Sequence, residues 1–564
     1  MIGVIAKKSE ENIAREFFEL FKVPWEFYEE GKEYDVILAT GGIGKNSINA
    51  PLAIVYAAGQ RDGGHEAGIE TGTAGAYVLL ESCLGSFPVY GKAEPVCLCG
   101  SPVLVSGAGG IFGVCTEAGP TRQLYLGYNL FREVEFLLSS GQPARFASIP
   151  TLEMHIALIR KWIVEAGIML VEVPPLPSEG TFFACLTHDV DFYGIRRHVL
   201  DHTFWGFIYR AGFQSLARLM NGRLSWRKAR KNLMAVLSLP FIHIGMAKDF
   251  MVQFDRYLEI EKGLRSTFFL IPFKNRAGLD GAGREHTFRA VSYDVDDISG
   301  YIGRFRESGC EVGLHGIDAW LDAGRARAEM ARITASTGCP ECGVRMHWLY
   351  YDGNSPAVLE EAGFSYDSTF GYNEAVGYRA GTAQAFRPLN AVGLLELPMI
   401  IQDTALFFSS RMGLREEEAL AVAGSVISDV QKYGGCLTVN WHERSIGPER
   451  LWDDAYIALL ENVKNRRACF RTASQVVKWF KKRRAVTFKK VDRKADGLHV
   501  EMSVDATAAT GAEIPDLVLR LHKLKKPAGP ANDPGGIETV DIPFHGEFLA
   551  DLPFDFAASQ GERG

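Results

Sequence analysis

The 564-residue sequence has no apolar run near the roughly 20 residues that a membrane-spanning helix requires. Its start does not read as an export signal: the apolar run 1–6 is brief and its charges, Lys7 and Lys8, come afterwards, which suits a short strand and a helix cap. Net charge is scarce as well, only −7 for this length, and nothing in it points to nucleic acid. Ten cysteines are scattered, several of them inside apolar runs (Cys185, Cys436), which argues against a disulfide framework and for reduced thiols in a cytoplasmic protein. Cys339-Pro340-Glu341-Cys342 lacks a second ligand pair, since Cys97-Leu98-Cys99 has the wrong spacing, so free thiols on a turn are expected. Two nucleotide-binding patterns are incomplete. Gly41-Gly42-Ile43-Gly44-Lys45-Asn46 has neither the upstream glycine nor the hydroxyl residue of a phosphate loop, and Phe112 stands where a dinucleotide fingerprint ends on a small residue.

What is present fits a large folded protein. Hydrophobic residues make up 47% and charged residues 23%, and at about 150 residues per domain the length allows three to four domains. Residues 1–175 are expected to form an N-terminal α/β domain of unassigned role, with strands at 3–6 and 36–39 and a helix presenting Ile13, Phe17, Leu20 and Phe21 on one face. From 176 to 484 short apolar strands recur at 182–186, 267–271, 311–314, 344–347, 366–368, 394–397 and 436–441, with helices such as 298–306 and 355–362 between them. This spacing predicts an irregular (β/α)7-type barrel with its active site at the C-terminal strand ends. The insert at 192–260 carries Arg196-Arg197-His198 and Arg227-Lys228-Ala229-Arg230-Lys231, expected to form a solvated helical face. The run 478–484 reads as a charged linker, with peripheral contact to anionic lipid as its alternative, and the alternation at 498–504 and 517–521 predicts a small C-terminal β domain over 485–564.

The candidate site falls at the strand ends. In Thr187-His188-Asp189-Val190-Asp191 the alternation of an extended chain lets Asp189 and Asp191 converge while Val190 turns to the core. Two carboxylates so close need a metal, a shared proton or strong donors. His315, Arg345, His347, Glu396 and His442 follow at later strand ends. Carboxylate and imidazole together suit a divalent ion of the zinc, cobalt, manganese, iron or nickel kind, zinc first, rather than magnesium. Capping by the aspartates, a structural Arg345 ion pair and packing for His347 are the plainer readings of the same residues.

At these residues the chain resembles the polysaccharide deacetylase superfamily, carbohydrate esterase family four, over about 180–480. The resemblance rests on Thr187 to Asp191, Ser266-Thr267-Phe268-Phe269-Leu270, Gly313-Leu314-His315-Gly316, Arg345, Leu397-Pro398 and Val439-Asn440-Trp441-His442, in order. It implies metal-assisted hydrolysis of an acetamide, with Asp189 as base, Arg345 orienting it, and His442 as the acid that protonates the departing amine. Glu396 or Asp403 would hold the tautomer of His442. The metal ligand shifts from the place of Val190 to Asp191 and joins His315. Ala319 stands where the family has a second histidine, which leaves His347 or His188 as the replacement ligand.

The expected activity is removal of an N-acetyl group from an amino sugar in a polysaccharide or its precursor. Trp320, Trp348, Tyr350, Tyr351 and Trp441 are candidates for stacking on the sugar. Alternatives are hydrolysis of a small non-sugar amide, or a barrel that binds glycan without catalysis. Oligomeric state is open.

Overall fold

The computed structural model describes residues 1–40, 50–56, 77–222, 224–494, 497–505, 514–525 and 536–553. The turn expected at 41–46 lies outside them. The protein is mixed α/β, and its centre is a curled parallel sheet of seven strands. The strand Phe183–Val190 is buried along its whole length and pairs in parallel with Ser266–Leu270 on one side and Cys436–Asn440 on the other. A strand covered on both faces reads as a continuous apolar run, which is why Phe182 to Leu186 was visible in the sequence. Glu311–Gly316 and Val344–Met346 extend the sheet one way, and Ile401–Gln402 the other.

Two expected strands, at 366–368 and 394–397, appear instead as isolated parallel bridges, Val344 to Asp367 and Asp367 to Glu396. Pro398 has no N–H to continue a ladder there. The chain around it nevertheless bonds to both edges: the Leu397 amide donates to the Asp367 carbonyl (2.8 Å), and the Ile400 amide to that of Thr438 (3.1 Å). The segment 394–402 is thus the seam between the two ends of the parallel sheet. Helices Ser299–Glu307, Ala323–Thr337, Ser355–Ala362, Glu416–Tyr433 and Asp453–Asn465 turn their buried residues toward a single large core under the strands.

The N-terminal region is a nine-stranded sheet whose parallel part, Trp25–Phe27, Ile2–Ile5, Val36–Ala39, Leu52–Tyr56 and Thr121–Leu126, continues into antiparallel strands ending at Gly85–Val89. Helix Glu11–Phe21 buries Ile13, Phe17, Leu20 and Phe21 against it, as the spacing predicts. At the other end of the chain, Leu517–Leu524 pairs antiparallel with Leu170–Glu172, so one strand preceding the parallel sheet belongs to a C-terminal sheet. Their contact includes Glu172, bidentate to Arg160 (2.6 and 2.7 Å) and 3.0 Å from His522.

The basic run 478–484 is not a solvated linker. It lies in helix Ala473–Arg484, where Lys482 and Arg483 are buried. Arg483 donates to the carbonyls of Val173 (2.8 Å), Glu19 (3.0 Å) and Leu20 (2.9 Å), and Arg484 is bidentate to the buried Glu16. A cation at the end of helix Glu11–Phe21 meets the negative pole of that helix and its unpaired carbonyls. These side chains are therefore unavailable to a lipid surface. In the insert Arg196, Arg197, Arg227, Arg230 and Lys231 are exposed, as expected, while His198 is buried and Lys228 is buried against Glu416; helices His202–Phe207, Ile208–Gln214 and Trp226–His243 build a small core of their own. None of the ten cysteines, all of them described, forms a disulfide, Cys339 and Cys342 included, as expected. Among the described residues no helix is long and apolar enough to cross a membrane.

Removing the Arg483 side chain strands three buried carbonyls and the carboxamide of Gln384. Arg483→Ala should cost about 3–5 kcal/mol, the range for breaking a buried charge arrangement, and lower the urea midpoint followed by tryptophan fluorescence. A midpoint unchanged from wild type contradicts this role for Arg483.

Candidate active site

The strand Phe183–Val190 ends at the site, and its alternation divides the motif between two faces. Leu186, His188 and Val190 face the large core: His188 lies against Tyr257 and Phe268, donates from Nδ1 to the Trp441 carbonyl (2.7 Å), and sits 3.0 Å from Glu261. Thr187, Asp189 and Asp191 take the other face. Asp189 is buried, 3% exposed, and accepts from Arg345 (3.0 Å) and from the side-chain amide of Asn440 (2.8 Å). Arg345 is wholly buried over the ring of Phe269 and spends its other donors on the Thr187 hydroxyl, the Ser368 carbonyl and the Ser368 hydroxyl. Burial alone would raise the Asp189 carboxyl; the Arg345 charge and the imidazoles of His315 and His442 outweigh it and hold the group below the usual carboxylate range.

Asp191, His315 and His347 bring one ligand atom each within 4.8 Å of one another. His315 Nδ1 lies 2.9 Å from the Arg345 carbonyl, which can only accept, so Nδ1 carries a hydrogen. Its Nε2 faces Asp191 Oδ1 at 3.1 Å, a separation that a proton or a cation between the two must bridge. His347 Nε2 joins them at 3.5 Å from the same oxygen, and burial pushes its imidazole down to about 3, so it offers a lone pair. The donor set thus fits a divalent ion of the kind that takes imidazole and carboxylate together. Of the two expected replacements for the histidine missing at Ala319, the structure brings His347 to the cluster and leaves His188 on the opposite face of its strand. Ala319 itself is buried in the large core.

His347 reaches this position through an unusual backbone. The strand stops at Met346, one residue earlier than expected, because Trp348 and Leu349 are both left-handed (φ 65° and 56°). Side chains rarely adopt that region, and such strain, of order 1–3 kcal/mol per residue, marks positions the surroundings over-determine. Arg289 supplies the constraint: it is buried and donates to the carbonyls of Ile317 (2.6 Å) and His347 (3.0 Å).

Across the cluster, His442 Nε2 lies 3.6 Å from Asp191 Oδ2, and its Nδ1 is 2.6 Å from Asp403 Oδ1. Asp403 also accepts from the His442 amide (2.8 Å). Burial lowers the affinity of His442 for a proton, but Asp403 more than compensates and lifts the group to about 9. Of the two expected tautomer holders, Asp403 is therefore the partner. Glu396 instead sits beside Asp367, accepts from the Phe370 amide (2.8 Å) and is pushed well above the usual range by burial and by Asp367.

Other contributors were hidden from sequence reasoning. Glu443 accepts the Asp191 amide (3.0 Å) and is lifted to about 8 by burial and the Asp191 charge, and the Tyr293 hydroxyl donates to the Val190 carbonyl between the two aspartates. Neither they nor Arg289 sit in a recognisable local pattern; only their burial in the fold singles them out. The proposed stacking aromatics mostly fail to reach solvent: Trp441 and Trp320 are buried, Tyr350 lies under Arg289 and Tyr351 against Phe370, while Trp348 alone is open, 42% exposed beside His347.

No family model matches the chain, and no curated protein does. Among solved structures it is similar to Agd3, a carbohydrate deacetylase, at 10% identity and TM-score 0.35, covering 98% of each chain. A protein of Mycobacterium smegmatis assigned as a polysaccharide deacetylase aligns at 17% identity and TM-score 0.34, over 54% of this chain and 92% of that one. A family 4 acetyl xylan esterase from Clostridium thermocellum, solved with a cobalt ion, aligns at 13% identity and TM-score 0.24, over 52% and 91%.

The geometry makes a sharp distinction among the histidines. His315→Ala and His347→Ala should each weaken zinc or cobalt binding by about a hundredfold or more, judged against the 10–100-fold that outer partners of a metal site contribute, whereas His188→Ala should retain stoichiometric metal. Elemental analysis after dialysis and titration calorimetry read this directly. Metal retained by His347→Ala at wild-type affinity removes His347 from the ligand set.

Proposed function

We propose that this protein is a metal-dependent hydrolase that removes the N-acetyl group from an amino sugar, in a polysaccharide or its precursor, with the chemistry in residues 176–484. The observation that carries the reading is the convergence of three different devices on one strand-end mouth: a buried carboxylate held ionised by Arg345, the Asp191–His315–His347 donor set, and a histidine backed by Asp403. The sugar component rests on the motif resemblance, and the divisions at 175 and 484 rest on the sequence pattern.

Asp191, His315 and His347 would hold a divalent ion, which when bound would lower the pKa of a water and polarise the acyl group. Asp189 takes the proton from the attacking water. Its two carboxylate oxygens are fixed by Arg345 and Asn440, so the base approaches in one orientation. His442, with Nδ1 committed to Asp403, points Nε2 toward the cluster and gives its proton to the departing nitrogen, which an amide requires because its anion leaves poorly. Arg345 positions Asp189, Glu443 and Tyr293 hold the backbone of the aspartate pair, and Arg289 holds that of His347.

One observation favours a second reading. Trp348 is the single open aromatic of the five that could stack on a sugar, which suits a small non-sugar amide as well as a sugar chain. A barrel that only binds glycan is disfavoured by the intact donor set and the oriented His442.

Acetate release from an N-acetylglucosamine oligomer by the zinc- or cobalt-loaded protein separates these readings. Wild type should turn over, Asp189→Asn should lose about 10³-fold in kcat, within the 10²–10⁴ of general acid–base catalysis, and Asp403→Asn should lose activity while binding metal normally. Turnover of simple acetamides with none of acetylated sugars establishes the second reading; no hydrolysis of either by metal-loaded protein defeats both.

A further inference from the structure

The insert that follows Asp191 has a composition unlike the rest of the chain. Residues 195–250 hold ten lysines and arginines against two aspartates, a formal +8 within a chain of −7, and no acidic residue lies between Asp201 and Asp249. Its helices are apolar on two faces. In Trp226–His243 the inner side, with Ala229, Ala235, Leu239 and Ile242, packs against Phe207 and Ala211. The outer side exposes Trp226 (69%), Leu233, Met234, Leu237 and Phe241 at helical spacing. The neighbouring helical stretch from His202 to Met220 repeats this: Trp205, Tyr209, Phe213 (68%), Leu216 and Met220 recur every three or four residues on its open side. A helix apolar on both faces needs an apolar medium on the second one, and a continuous exposed patch of this kind marks an interaction surface.

We propose that this face seats the protein on an anionic lipid bilayer. Two groups stand out among the insert's described cations. Arg210, Arg227, Lys228 and Lys231 pair with Glu449, Asp454, Glu416 and Asp453, and so fasten the insert to the parallel-sheet unit. Arg218 and Arg230 are exposed among the outward apolar residues and, among the described residues, take part in no salt bridge. Apolar side chains that enter the acyl boundary, amphipathic Trp and Tyr rings at headgroup depth, and free cations to meet lipid phosphates are the combination an interfacial helix pair requires. A second copy of the chain is the poorer occupant, because a twofold contact places this positive, carboxylate-free surface against itself. The insert joins the chain directly after Asp191, and its base is packed around the site through Phe192, stacked on His198 and covered by Arg444.

Flotation of the full-length protein with vesicles of phosphatidylcholine alone, or with 30% phosphatidylglycerol, tests the proposal, with the emission of Trp205 and Trp226 as a second readout. At physiological salt, wild type should float with the anionic vesicles, at least tenfold more than with the neutral ones, and its emission should shift to the blue. The exposed-residue variant Trp226→Ser/Leu237→Ser/Phe241→Ser, and separately Arg218→Glu/Arg230→Glu, should each lose that binding tenfold or more while keeping the wild-type melting temperature and metal content. Failure of wild type to bind either vesicle overturns the proposal. So does a wild-type dimer that the serine variant converts to monomer without any vesicle binding, which assigns the face to a second copy; so does equal binding to both vesicle types, which removes the anionic requirement.

Discussion

A guanidinium with no solvent at all, at the centre of a parallel sheet, is the constraint on which the site depends. A guanidinium has donors and no acceptor, so each buried donor of Arg345 must find an acceptor inside the protein. It does so on two elements at once, the Thr187–Asp189 strand end and the Ser368 bridge, with the ring of Phe269 beneath it. The pair with Asp189 fixes an ionised carboxylate at the mouth of the sheet, and the carbonyl of Arg345 itself fixes the hydrogen on His315 Nδ1. One residue thereby sets the charge of the base and a hydrogen of a ligand.

The parts of this arrangement that were legible in the sequence are those set by strand alternation. Thr187, Asp189 and Asp191 share a face because every second residue must, and the buried strands announced themselves as apolar runs. What alternation cannot convey is which distant chain comes alongside. Asp403 and Glu396 were equivalent candidates in the sequence, yet one reaches His442 and the other is spent on Asp367 and the Phe370 amide. His188 and His347 were equivalent too, until strand direction put the first in the core and a left-handed turn carried the second inward. Trp348 and Leu349 show no local preference for that turn; it is imposed from outside by Arg289, 58 positions before His347 in a segment with no motif. Basic runs misled for a related reason: a lysine or arginine is written the same whether it faces water or caps a buried helix end, and Arg483 does the latter.

The same accounting of donors explains how the regions are held together. Arg483 satisfies carbonyls at the end of helix Glu11–Phe21 and at Val173, while Glu172 meets Arg160 and His522. The contacts that join the N-terminal sheet, the parallel sheet and the C-terminal strands are thus polar and directional rather than only apolar. They fix orientation, which broad hydrophobic contact alone leaves loose.

The seam at 394–402 also decides how the acid of the site is held. Asp403 is the residue immediately beyond it, at the start of the short helix Asp403–Phe407. Registering this segment against Thr438 and Val439 is the same event that places a carboxylate under His442. The Asp191–His315 contact is made between strands on one side of the sheet, whereas the Asp403–His442 contact depends on the seam. The ion-holding residues and the acid are in this way secured by different parts of one sheet.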